Sequence, residues 1–567
     1  MRVPALLVAT FVLISRSVLA GIIDVPADQP TIAAAVTAAS NGDTIRLKKG
    51  RYQEAIVTTK SLKFVGKGGA IWDGFFGGTS HAQLKATAAN VSVQNIEFQN
   101  GTTAIEIAGN GADIVKCRFR AVEIAVVITG ANAQISRNRC SETLDTYYMF
   151  KVLGPDARIE RNSVFNSDGS AIIVDAQNAG GATVFGNVLQ NSRDYTHIEV
   201  KNAIAPKIVR NRLRDAYLSG IGILAENCDD ALVQGNDLAR LNYSIDQGIR
   251  VIGARARIID NTVRQLLNYD GDYVGIDVIG ADALVAKNAI INCSGGSDND
   301  TWGIRVAGAR ARISDNDTNT LGGAGDECFG IDVTGDDARI EKNHVRDFTD
   351  EYTYGIDVTG NRAAVSKNRV ERMLYETSLY ITGDDFTIAH NVVRDCAYGV
   401  YPIYVTGGAT TPGSAVIEDN FISDIGYLGI SLTGDDVILR DNRLRNLSGD
   451  AFEISGNANR LQDNVATNVL WDGIYLDGDA NIVSRCTFMH CGQDGIDVNS
   501  GTGNVFDKCK AIDCVAEGFD NGGGTATILT NCTLKGSRID YAGNNNVAND
   551  SGTSFGSGGK ATPPEID

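Results

Sequence analysis

GIDVTGDDARIEKNHV, residues 330–345, returns almost unchanged as GIDVTGNRAAVSKNRV at 355–370 and as GIDVIGADALVAKNAI at 275–290. Looser copies are GIRVAGARARISDNDT at 303–318 and GISLTGDDVILRDNRL at 429–444. Each copy holds two short stretches of alternating apolar and polar residues joined by a Gly/Asp turn, which reads as strand–turn–strand. An asparagine late in each copy gives the register, from Asn95 to Asn464, with Cys117, Cys486, Cys509 and Cys532 in its place elsewhere. The 437 residues between positions 95 and 532 make 18 steps, a mean period of about 24. That period suits a coil of three short strands, stacked on its neighbours in a solenoid of about twenty coils. The asparagine column is expected to be scaffold. It tolerates the left-handed backbone of a sharp turn, and its amide can bond to its copies along the axis.

Outside the repeats, residues 1–20 read as a secretory signal: Arg2, an apolar run from Val3 to Ile14, and Val18-Leu19-Ala20 before the cut. The run is short of the ~20 apolar residues that span a bilayer. Location is therefore expected to be secreted, periplasmic or at the cell surface. Losing Arg2 and Arg16 leaves 49 basic against 69 acidic side chains. Such a surface argues against nucleic acid and anionic membranes as partners. It also disfavours a polyanionic substrate unless arginines or bound cations gather at one site. Eleven cysteines follow the coil spacing and read as buried thiols in ladders. Cys486, Cys509 and Cys532 are expected to stack unbridged, while Cys491 and Cys514 are spaced for a disulfide across adjacent coils. Residues 551–567 read as a flexible Gly/Ser tail, leaving one domain over 21–550.

Residues 25–54, VPADQPTIAAAVTAASNGDTIRLKKGRYQE, begin the fold. Thr31–Ser40 reads as a helix covering the open end of the solenoid, within a cap over 21–60. Asp28-Gln29-Pro30-Thr31-Ile32, Gly42-Asp43-Thr44-Ile45 and Gly50-Arg51-Tyr52 resemble the opening of pectin-lyase-like β-helix proteins. The resemblance implies an all-β, right-handed parallel β-helix. For activity it implies lyase, hydrolase, esterase, epimerase or none, because the fold hosts all of them.

In GIDV the residue between the two apolar ones points outward. Followed along the chain, this position reads Glu106, Val127, Lys151, Ile173, Glu199, Gly222, Arg250, Asp277, Arg305, Asp332, Asp357, Tyr380, Tyr404, Ser431, Glu453, Tyr475, Asp497 and Asp520. The return from asparagine to the next outward residue is usually 11 residues, but 14 to Arg250, 16 to Asp277, 17 to Arg305, 16 to Asp332 and 14 to Asp357. Acidic and aromatic insertions thus collect beside one stretch of the line, and loops on a rigid scaffold carry function. The expected site has a catalytic floor of Arg250, Asp277, Arg305, Asp332 and Asp357. Its aromatic walls are expected from Tyr273, Trp302, Phe329 and Tyr354, with Tyr380 and Tyr404 beyond. The competing reading is a solvated Arg–Asp ladder.

Two chemistries fit. Asp332 and Asp357 could serve as the two carboxyls of a glycosidase. A uronate lyase would instead use Arg250 and Arg305 to neutralise the substrate, with Ca²⁺ held by Asp270, Asp272, Asp298 and Asp300, and Tyr or Lys as base. A second constellation places Tyr195, His197, Glu199 and Lys201 outward on one strand. HIEVKNAIAPKIVRN, residues 197–211, resembles the Glu-x-Lys strand of β-helix alginate and chondroitin lyases, which implies Lys201 as base. The next coil departs from that pattern: it reads GIGILAEN, where those enzymes carry Arg-His. Tyr354-Gly355-Ile356-Asp357 resembles part of the alginate epimerase motif, but Val358-Thr359 replaces Pro-His. The Gly-Asp-Asp turns at Gly335, Gly383 and Gly434 follow turn chemistry. The expected function is cleavage of an extracellular, optionally uronate-containing polysaccharide by a lyase or glycoside hydrolase. The alternative is a glycan-binding or surface-structural protein.

Overall fold

The computed structural model describes residues 20–74, 82–142, 148–191, 196–217, 220–243, 247–268, 271–296, 299–322, 327–348, 352–537, 542–543, 547–549 and 553–556. The N-terminal segment read as a signal, most of the C-terminal stretch read as a tail, Tyr195, Asp270, Asp298 and the tips of the insertion loops lie outside them.

Every coil runs through the same three strands. In one of them the long strand Thr301–Ala307 is followed by the short Arg312–Ser314 and then Asp317–Leu321. The chain re-enters the long position at Cys328–Thr334. Among the described residues all pairing is parallel, and the register holds from coil to coil, as in Arg312↔Arg339 and Ile304↔Ile331, with shifts only at Cys396–Tyr398 and Thr527–Ile528. The short strands alone build a 23-stranded sheet, so the stack has about twenty or more coils and forms a right-handed parallel β-helix. One helix, Ile32–Ala38, closes the N-terminal end, with Thr31 capping it and Ile32, Ala35 and Val36 buried. It is shorter than the expected Thr31–Ser40 because Ala39 already has extended backbone.

Inside, like stacks on like. Trp72, Phe98, Phe119 and Phe150 form one aromatic column. The asparagines form another: Asn261 donates its backbone N–H and its Nδ2 to Asn288 Oδ1, at 2.9 and 3.0 Å. Asn288 Nδ2 in turn reaches Asn316 Oδ1 and Ile258 O. This buried ladder runs from Asn138 to Asn464, where Cys486 Sγ receives the last amide. Two expectations need correction. The left-handed residue is the one before each asparagine, such as Arg137, Lys287 or Lys367. Asn95 belongs to that preceding column, because Gln94 pairs with Val115 and so aligns it with Lys116. All eleven cysteines are buried and free, including Cys491 and Cys514, which meet as thiols.

The glycine of GIDV has a packing reason. A Cβ on Gly275 would stand 2.5 Å from Gly303 O and 2.9 Å from Ile290 Cγ2. The chain turns a corner there, so the glycine and the following isoleucine both face the core.

Candidate functional site

The outward line forms as expected over its central stretch. Arg250, Asp277, Arg305, Asp332, Asp357, Tyr380 and Tyr404 are successive partners on adjacent long strands. Upstream, Glu199 pairs with Leu224 and not with Gly222, which sits inward at the glycine corner.

The line is two things at once. Asp277 is 1% exposed and fixed between Arg305 Nε at 3.1 Å and Arg250 Nε at 3.6 Å, with Gln247 Nε2 at 3.3 Å. This end is a closed ion-pair network, so Arg250, Asp277 and Arg305 act on one another. Arg305 also lies 4.8 Å over the Trp302 ring.

Asp332 and Asp357 face no such cation directly. Trp302 Nε1 donates to Asp332 Oδ2 at 3.1 Å. Burial raises the Asp332 carboxyl above its ordinary range, opposed by Arg305 and by the tryptophan bond. Asp357 goes further, up to about 7, through burial and then repulsion from Asp332 and Glu327. Its Oδ1 is buried with no hydrogen-bond partner. Two neighbouring carboxyls therefore hold protons with different strength, the arrangement that separates an acid from a base.

The aromatic residues stack on one another along the axis. Trp302 and Phe329 lie 5.5 Å apart at 4°, Phe329 and Tyr354 4.9 Å at 11°, and Tyr380 and Tyr404 5.4 Å at 16°. Their faces are covered, and Trp302 and Phe329 are only 9% and 8% exposed, so they are a floor and not walls. The row continues through Tyr401, Tyr427 and Trp471, which the sequence reading missed. Tyr273 is not in it: fully buried, it pairs with Thr301 in the inward column, and Val274 stands in register with Trp302.

The second constellation does not assemble as expected. His197 shares the register of Gly222 and faces inward, 5% exposed, with neither ring nitrogen hydrogen-bonded. Desolvation lowers its pKa to about 4. Lys201 Nζ lies 2.5 Å from Glu199 and 3.2 Å from Glu226, which raises its pKa and opposes a role as base.

Carboxylates dominate beyond Trp471. Asp472, Asp494 and Asp497 bring ligand atoms within 4.8 Å of one another. Each ladder member also accepts the backbone N–H of the next coil: Asp450 from Asp472, Asp472 from Asp494, Asp494 from Glu517. Asp272 and Asp300 do the same, accepting from Asp300 and Glu327, so these two of the four carboxylates expected to hold Ca²⁺ have a structural task. The repeated Asp-Gly before the core isoleucine, at Asp472-Gly473 and Asp494-Gly495, was the sequence signal for this ladder.

Among known proteins, the family model for a right-handed beta helix region matches residues 329–469 and 401–557. No curated protein matches the sequence. Solved structures with similar coils include a pectin methylesterase from carrot, 12% identical with TM-score 0.19 over 55% of this chain and 85% of that one. A variant PL6-family alginate lyase is 9% identical with TM-score 0.26 over 97% and 98%. A GH87 alpha-1,3-glucanase catalytic domain in complex with nigerose is 11% identical with TM-score 0.16 over 79% and 65%. Scores this low transfer no activity. Coil by coil this chain is a right-handed parallel β-helix, and its residues 329–557 match the family model for that fold.

Proposed function

We propose that this is an exported glycoside hydrolase acting on a polysaccharide laid along the aromatic row, with Asp357 as general acid and Asp332 as the ionised partner. One observation carries the reading. Asp332 and Asp357 are in-register neighbours on one face, and their surroundings split their proton affinities. Adjacent coils stand ~4.8 Å apart, nearer the ~5–5.5 Å of retaining enzymes than the ~6.5–9.5 Å of inverting ones. The anomeric configuration of the product is therefore expected to be retained. The lyase alternative finds less support. Arg250 and Arg305 are committed to Asp277, Lys201 is held by two glutamates, and burial raises Tyr354 to about 12. The signal-like N-terminus supports export.

The test is incubation of purified protein with a polysaccharide panel, following reducing ends and unsaturated-uronate absorbance side by side. New reducing ends without unsaturation support the hydrolase, and Asp357→Asn should slow their release by about 10²-fold. Unsaturated products would refute it. Binding without turnover would make the row a binding surface only.

A further inference from the structure

The sequence contains no basic run and carries a formal charge of −18, yet folding gathers six arginines on one face. The face lies at the corner after each long strand, around from the carboxyl pair. One column through it reads Asp230, Arg255, Asp282, Arg310, Asp337, Arg362, one residue per coil. Each arginine turns back on the aspartate before it with two bonds. Arg255 makes 2.8 and 2.8 Å, Arg310 2.7 and 2.8 Å, and Arg362 2.7 and 3.0 Å. That column neutralises itself.

Two residues further on, the next outward column reads Arg257, Leu284, Arg312, Arg339. The three arginines are exposed, and none forms an ion pair with a described residue. Arg312 and Arg339 only add a longer-range pull on Asp282 and Asp337. They stand directly opposite each other on adjacent strands, where like charges repel. Elsewhere in the same column Arg158 does find a carboxylate, Glu160 at 2.5 Å. A trough of about 630 Å³ runs along the two columns, lined by six guanidinium groups against three carboxylates.

We infer that this trough is a second binding site, which holds an acidic polysaccharide by its carboxylate or sulfate groups on Arg257, Arg312 and Arg339. Guanidinium forks match both anions in plane and in spacing. One coil separates Arg312 from Arg339, ~4.8 Å, and two separate Arg257 from Arg312, ~10 Å. A stiff chain that repeats its acid groups along an extended axis can meet all three. Screening confines the ligand to local charge, since fields decay over ~8 Å at physiological salt; the carboxylates elsewhere do not repel it. A protein partner would need an aromatic or aliphatic anchor, and Leu284 is the one apolar side chain lining the trough. A nucleic acid strand would find no ring on which to stack its bases.

The experiment measures binding of the full-length protein to heparin and to polygalacturonate, as sulfated and carboxylated probes, with dextran as the neutral control. The expected result is salt-sensitive binding to at least one acidic chain. The triple variant Arg257→Ala/Arg312→Ala/Arg339→Ala should weaken it by about tenfold or more and reduce the slope of log affinity against log salt by about two to three. Because these side chains are unpaired, thermal stability and turnover at the carboxyl pair should not change. The single variant Arg312→Gln, expected to show a smaller loss in the same direction, keeps the test valid if the triple variant folds poorly. Failure of both acidic probes to bind, or undiminished binding by the variants, overturns the site. Dextran binding that the variants abolish, or an oligonucleotide held as tightly through the same arginines, overturns the assignment to an acidic polysaccharide.

Discussion

Asn288 shows what one residue does in this fold. Its Oδ1 accepts two bonds from Asn261, and its Nδ2 donates to Ile258 O and Asn316 Oδ1. Asn288→Ala would strand buried groups on both neighbouring coils. The expected loss is about 3 kcal/mol or more, read as a lower denaturant midpoint; an unchanged midpoint would contradict the ladder's role. Asp357 works in the opposite sense, as a buried oxygen left without a partner. Its carboxyl titrates near pH 7, so turnover that needs its proton should fall as pH rises through about 7. If the acidic limb of the pH–rate profile alone moves in Asp357→Asn, the assignment of acid and base is reversed.

Among the elements, the long strand explains which positions were legible in the sequence. From the isoleucine onward, Asp277, Arg305, Asp332 and Asp357 fell outward as strict alternation requires. Before the isoleucine, alternation fails, because the corner turns glycine and isoleucine inward together. Counting back across that corner reverses the face, which moved Tyr273 and His197 from expected surface to core. Gly220-Ile221-Gly222 offers two frames for the same motif, and only the register shows that Leu224 is outward. The acidic ladder of the C-terminal coils carries a prediction of its own. Burial and mutual repulsion raise Asp450 and Asp472 to about 6 and Asp497 to about 7. In the unfolded chain these groups ionise near ~3.9, so between about pH 4 and 7 the unfolded state binds fewer protons and stability falls as pH rises. Cooling of the melting transition is thus expected from about pH 5.5 to 8, and Asp472→Asn should flatten it. Below about pH 4 the sign changes, since arginine-paired carboxylates such as Asp24 and Glu371, held at about 2, lose their contribution as they protonate. A melting temperature that climbs from pH 5.5 to 8 would exclude this account of the ladder.

At the scale of the whole molecule, composition described the average surface and missed its arrangement. The sequence has no basic run, but one arginine every 25 residues or so becomes a continuous column once coils stack. The aromatic row arises the same way, from residues as distant as Trp302 and Trp471. Three of the five residues of the expected catalytic line proved to be a closed network around Asp277, because a sequence shows charge order but not which carboxylate a guanidinium chooses. What remains is a solenoid with a carboxyl pair in the middle of one face, and the account stands on that pair being the reacting centre. The most direct measurement is reducing-end release from the polysaccharide panel by the native protein, Asp357→Asn and Arg250→Ala in parallel. The account predicts turnover by the native protein, about 10²-fold less in Asp357→Asn, and a much smaller loss in Arg250→Ala. Equal turnover by Asp357→Asn and the native protein would contradict it.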